Sequence, residues 1–128
     1  MMEKKFERHV LWISRAKEDL IEFPDQIKKT FGYAVHLAQI GLKHEQAKPL
    51  HGFGGASVLE VVEDHRGDTY RAVYTVRFED AVIVLHAFQK KSKRGIATPA
   101  HEIDLIRKRL KLAEELYVQW KTGKRKPR

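Results

Sequence analysis

The residues best suited to chemistry lie in one short run, Gln89-Lys90-Lys91-Ser92-Lys93-Arg94, where four of six side chains are basic. No acidic residue stands nearby in sequence to neutralise it. Cations gathered on a loop can converge on one phosphate and stabilise the charge that builds there during transfer. Lys90, Lys91 and Lys93 crowd one another enough for one amine to lose its proton and act as a base. That combination suits cleavage of RNA, which needs no metal when the ribose 2′-hydroxyl is the nucleophile. The site must then bend the backbone in line, neutralise the phosphorane and move protons. Most charge runs are only solvated loops. This one follows a strand and precedes a helix whose N-terminus also favours anions.

Two arginines form a second group of candidates. Alternation along Thr69–Phe78 places Arg71, Val73, Thr75 and Arg77 on one face, and Tyr70, Ala72, Tyr74, Val76 and Phe78 on the other. The second set reads as core, so Arg71 and Arg77 are expected on the more open face. Either could grip a phosphate with two N–H groups or form an ordinary ion pair with Glu60 or Glu63, and spacing alone does not choose. Of the seven histidines, His36 and His86 read as structural. His51, beside a glycine-rich loop, and His101, in the first turn of the last helix, could reach the basic run and shuttle protons. A surface histidine without a role is the commoner outcome for both. Lys48 and Arg94 complete the candidate RNA contacts.

Several classes of function are disfavoured. No histidine pair has metal-ligand spacing, and no Ser-His-Asp or P-loop pattern occurs. Gly52-Phe53-Gly54-Gly55 precedes a strand rather than a helix, so it is not a dinucleotide cradle. Cysteine is absent, which removes disulfides and thiolate chemistry. Neither a cofactor nor a metal is expected. No apolar run approaches the ~20 residues that span a bilayer, and Met1–Val10 lacks a signal-peptide core. The expectation is a soluble, cytoplasmic protein. A net charge of +8 on 128 residues points to a polyanionic partner, nucleic acid or an acidic protein.

The elements that must position these side chains follow from periodicity. Arg8–Ile13 reads as a strand, with Ser14 capping a helix over Arg15–Glu22. Pro24 opens a second helix, striped by Ile27, Phe31, Ala34 and Ala38 and stopped near Gly41. Lys43–Ala56 reads as a loop. Ser57–Glu63, Thr69–Phe78 and Ala81–Gln89 read as strands whose short links force antiparallel neighbours. Thr98 and Pro99 start a last helix striped by Ile103, Ile106, Leu110, Ala113, Tyr117 and Trp120. The expectation is one α+β domain over 1–120, order β-α-α-β-β-β-α, with a frayed basic tail over 121–128. A helical hairpin and the C-terminal helix would pack on a twisted antiparallel sheet.

Beyond these residues, the sequence resembles a known group. Lys48-Pro49-Leu50-His51-Gly52-Phe53, Val58-Leu59-Glu60-Val61, Thr69-Tyr70-Arg71-Ala72-Val73-Tyr74, Leu85-His86-Ala87-Phe88-Gln89-Lys90-Lys91-Ser92-Lys93 and Thr98-Pro99 are similar to the phage-derived Gp49-like group. That group belongs to the RelE/ParE toxin superfamily, near the HigB toxins, and the likeness runs from about Phe6 to Trp120. The resemblance implies a RelE-like fold and the toxin of a type II toxin–antitoxin system. Its neutralising antitoxin would often be a helix-turn-helix protein. It implies a metal-independent mRNA endoribonuclease that works on the ribosome and arrests translation. By position, Arg71, Lys90 and Lys91 match the family's catalytic cations, and Lys93 comes from the same motif. Two departures stand out. RelE carries lysines on the strand where this chain has Glu60 and Glu63, and Ile96–His101 lacks RelE's tyrosine. A gyrase poison of the ParE kind, or a relic that only binds its antitoxin, would share the fold.

Overall fold

In the computed structural model the chain is described over residues 7–90 and 97–125. Its elements are β1 (His9–Trp12), α1 (Ala16–Ile21), α2 (Asp25–Gln39), β2 (Ala47–Pro49), β3 (Val58–His65), β4 (Asp68–Thr75), β5 (Ala81–Lys90) and α3 (Ala100–Arg125). They build one five-stranded sheet in the order β1-β5-β4-β3-β2. The α+β class and the β-α-α-β-β-β-α order stand, with β2 as an added three-residue edge strand.

Residues 58–90 form a β-meander because each link is too short for anything else. Arg66 and Gly67 make the β3–β4 turn with φ of 52° and 88°. Two successive left-handed residues match the twist of a hairpin. Three details correct the sequence expectations. β1 lies parallel to β5, so the sheet is mixed at that edge. Parallel neighbours need a long connection, and here α1 through β4 lie between the two strands. Ser14 does not cap α1; it sits at φ 52°, and Arg15 precedes the helix without a side-chain cap. Finally, α3 runs on to Arg125, through the start of the expected tail, where the Lys121 ammonium meets the Asp80 carboxylate.

Both faces of the sheet are covered. α1 and α2 bury Ala16, Leu20, Ile27, Phe31 and Ala34 against Val61, Tyr70, Ala72, Tyr74 and Val82. α3 buries Ile106, Leu110 and Ala113 against Val58, Val73, Ile83 and Leu85. The face assigned to Arg71 as the more open one is therefore the floor of a second core. The alternation of polar and apolar residues on β4 did mark two faces, but α3 closes over the polar one.

One core group is left over. Tyr74 is 1% exposed, and its hydroxyl has no hydrogen-bond partner among the described residues. Burial pushes its pKa up to about 12. Tyr74→Phe is expected to leave stability unchanged or raise it by up to ~1 kcal/mol, because an unmet buried hydroxyl is removed with little change of shape. Urea midpoints of the two proteins check this.

Candidate functional site

The site is built where the middle strands meet the start of α3. Strand register puts Glu60 opposite Val73, Val73 opposite His86, and Arg71 opposite Phe88. Glu60, Arg71, His86 and Phe88 therefore share the α3 face. Thr69 pairs with Lys90, which adds that lysine at the end of the same face.

A β-bulge sets the position of His86. Val73 pairs with His86 but Tyr74 pairs with Val84, so Leu85 is the extra residue on β5. Bulges re-aim side chains. Here Leu85 packs into the α3 core while His86 also reaches α3. Simple alternation would put these neighbours on opposite faces.

Two polar nodes result. In the first, Arg71 Nη1 donates to Glu60 Oε2 at 3.2 Å and to the Thr98 hydroxyl at 3.1 Å. Thr98 in turn donates to the same Glu60 oxygen at 2.6 Å. The Arg71 and Glu60 side chains are only 5% and 13% exposed. Thr98 thus ties the start of α3 to the sheet instead of capping the helix; the Glu102 and Ile103 N–H groups bond the Pro99 carbonyl. Glu60 also lines a cavity of about 320 Å³ with Glu45, Gln46, Lys48 and Val62. That cavity lies at the β2 edge beside Glu60.

In the second node His86 bridges two residues of α3. Its Nε2 lies 2.6 Å from Glu102 Oε1, and Arg109 Nη1 lies 3.2 Å from its Nδ1. Arginine can only donate, so Nδ1 accepts and Nε2 carries the proton toward Glu102. The ring is neutral. Burial lowers the pKa of His86 from 6.5; the Glu102 hydrogen bond and charge oppose this, and the Arg109 charge adds to it. The consequence for stability has a definite sign. Below about pH 6.5 the unfolded chain binds a proton that the folded one resists, so stability rises with pH across that range. The urea midpoint is expected to be lower at pH 5.5 than at pH 7.5. Beside this node, a cleft of about 330 Å³ between α1 and the free part of β5 is lined by Asp19, Glu22, Phe23, His86 and Phe88. Its carboxylates make it a poor home for phosphate.

The remaining candidates separate. Lys90 ends β5, partly exposed, and forms no ion pair among the described residues. Lys48 lies on β2 directly opposite Glu60 and is exposed. His51 is exposed in the β2–β3 loop. His101 is 79% exposed and lies 3.5 Å from Glu102. Arg77 leaves the group: it falls beyond β4, whose pairing ends at Thr75, and pairs with Glu114 at 2.8 Å toward the far end of α3. Lys91, Lys93 and Arg94 lie outside the described residues. Among the described residues no cluster of His, Asp and Glu could hold a metal ion, and no helix is long and apolar enough to cross a membrane.

Comparison with known proteins decides the family. The chain matches the family described as phage derived protein Gp49-like (DUF891) over residues 18–111. It is a Gp49-like protein. The match runs from within α1 into the first half of α3, both polar nodes included. This is the group to which the sequence motifs pointed. No curated protein sequence matches the chain. Among solved structures it is similar to a chain of the toxin–antitoxin complex RelBE2 from Mycobacterium tuberculosis. Identity there is 21%, the TM-score 0.39, and the match covers 71% of this chain and 100% of that one.

For the Gp49-like protein, sequence reasoning missed Glu60, Thr98, Glu102 and Arg109 as members of the site. Glu60 was noted only as a departure and as one possible ion-pair partner. A signal for Glu102 and Arg109 was present: they lie seven residues apart on α3, two helical turns on one stripe.

Proposed function

We propose that this Gp49-like protein is the toxin of a type II toxin–antitoxin system and that it cleaves mRNA without a metal. The observation that carries the proposal is the convergence of Arg71, Glu60 and Lys90 on one sheet face at the start of α3. In this account a phosphate enters beside Lys48 and meets the Arg71 guanidinium. Glu60 swings aside from Arg71 and takes the proton of the 2′-hydroxyl. The 2′-oxygen attacks phosphorus, the bond to the 5′-oxygen breaks, and a lysine of the Lys90–Lys93 run returns a proton to the leaving oxygen. The products are a 2′,3′-cyclic phosphate and a 5′-hydroxyl end. Arg71 and the lysines stabilise the charge between these steps. The ribosome supplies and orients the message, the cytoplasm is the site of action, and an antitoxin, helix-turn-helix in kind, neutralises the toxin.

Induced expression tests the proposal. The wild-type chain is expected to stop growth and leave cut transcripts, and co-expression of the antitoxin should prevent both. Lys90→Ala is expected to reduce cleavage by roughly 10²–10³, the usual effect of removing one stabilising group. Intact transcripts in arrested cells would reject the nuclease. One observation favours a second reading: Arg71 is 4% exposed and already paired with Glu60. An inactive relic, or a non-nuclease toxin of the ParE kind, would not need that pair to open. It predicts antitoxin binding with mRNA intact, and a DNA-damage response if gyrase is the target.

A further inference from the structure

We propose that the Arg107 guanidinium, backed by Phe53, is a stacking subsite for a nucleobase of single-stranded RNA next to the cleaved phosphate; the inference rests on the RNA-directed reading above. The arginines at this end of the fold differ in what meets their charge. Arg71 faces Glu60, and Arg109 lies beside His86 in reach of the Glu102 and Asp19 charges. Arg107 bonds no carboxylate among the described residues. Its Nη1 donates instead to the Gly52 carbonyl at 3.0 Å, and its guanidinium carbon lies 4.8 Å from the Phe53 ring centroid.

These two contacts hold a flat cation in a fixed orientation. One side rests on Phe53, which is partly buried against the α3 core. Arg107 itself is exposed, so the side away from Phe53 is free to take a second flat group. Bases stack on arginine planes and aromatic rings in single-stranded RNA recognition. A plate that is already ordered loses little entropy on binding. The loop serves this arrangement: Gly52 has φ of +98°, a conformation that L side chains rarely adopt, and so turns its carbonyl to the arginine.

The location fits a neighbouring nucleotide rather than the reacting one. Arg107 stands seven residues beyond the first residue of α3, about 10 Å along the axis, while Thr98 at the helix start touches Arg71. The exposed Lys48 and His51 belong to the β2–β3 segment that also carries Gly52 and Phe53.

The test uses the full chain and a short 2′-O-methyl RNA, which cannot be cut, carrying 2-aminopurine at one position per oligonucleotide. Stacking quenches this fluorophore. The wild-type chain is expected to quench it at one position in particular. Arg107→Lys keeps the charge but not the plate. It is expected to lose most of the quenching and to bind about tenfold more weakly, with the slope of log K against log salt unchanged. Phe53→Leu should act in the same direction, and urea midpoints near wild type would show both variants folded. Unchanged quenching by Arg107→Lys overturns the subsite. If the wild-type chain cuts mRNA on induction yet quenches at no position, only the subsite falls. If it neither binds the RNA nor cuts mRNA, the RNA-directed reading falls and the subsite with it.

Discussion

Arg71→Ala is expected to lower the stability of the fold by about 3–5 kcal/mol, the usual cost of removing one partner from a buried ion pair. The substitution leaves the Glu60 carboxylate, 13% exposed, facing a void and the Thr98 hydroxyl. Against the 5–15 kcal/mol that holds a typical domain together, this is a large fraction. Loss of toxicity in Arg71→Ala would therefore say little about catalysis. Two further variants separate the roles. Arg71→Ala/Glu60→Ala removes the stranded charge, so its loss should be smaller than the sum of the two single losses, a coupling that urea titrations of all four proteins measure. Arg71→Lys keeps a cation but not the planar fork, and should fold while cleaving poorly. An Arg71→Ala midpoint equal to wild type would mean that the pair contributes nothing.

His86→Leu carries the second large effect, a loss of about 2–3 kcal/mol at pH 7.5. The variant keeps an apolar side chain beside Phe88 but withdraws the hydrogen bonds to Glu102 and Arg109. Buried polar groups deprived of a partner account for a loss of this size. The same variant has no ring to protonate, so it should escape the acid-side destabilisation of the wild-type chain. The stability gap between the two proteins is thus expected to narrow from pH 7.5 to pH 5.5. A gap that does not change with pH would show that His86 is not the group responsible.

The fold was legible where local rules act alone. Turn chemistry at Arg66-Gly67, the Ile27–Phe31–Ala34–Ala38 stripe and the Ile103–Trp120 stripe each specify their element without help from the rest of the chain. Long-range relations were not legible. Nothing local in His9–Trp12 states that its partner is β5, 72 residues away in register, or that the pairing is parallel. The β5 bulge is equally silent in sequence, because Leu85 and His86 read as an ordinary alternating pair.

The site shows the same division. Arg71 stood out as a cation among apolar neighbours, but Glu60 and Thr98 did not stand out as its partners, since Glu60 lies on another strand and Thr98 just before α3. Glu60 was read as a departure from the lysine-bearing strand of RelE. In the fold it is a carboxylate partner of the buried Arg71. Arg77, equivalent to Arg71 by alternation, diverged because β4 pairing ends at Thr75 and its side chain turns to Glu114. His86 was read as structural, and its two internal hydrogen bonds agree with that; the surprise is that the bulge puts it on the face of Arg71.

The central claim is that the Arg71 face cuts messenger RNA. It is tested most directly by mapping transcript 5′ ends after brief induction of the wild-type chain and of Arg71→Lys, matched for soluble protein. The account predicts new 5′-hydroxyl ends inside translated regions with the wild-type chain, lost when translation is blocked beforehand and strongly reduced with Arg71→Lys. Transcripts that remain intact while wild-type cells stop growing, or equal cutting by both proteins, would contradict it.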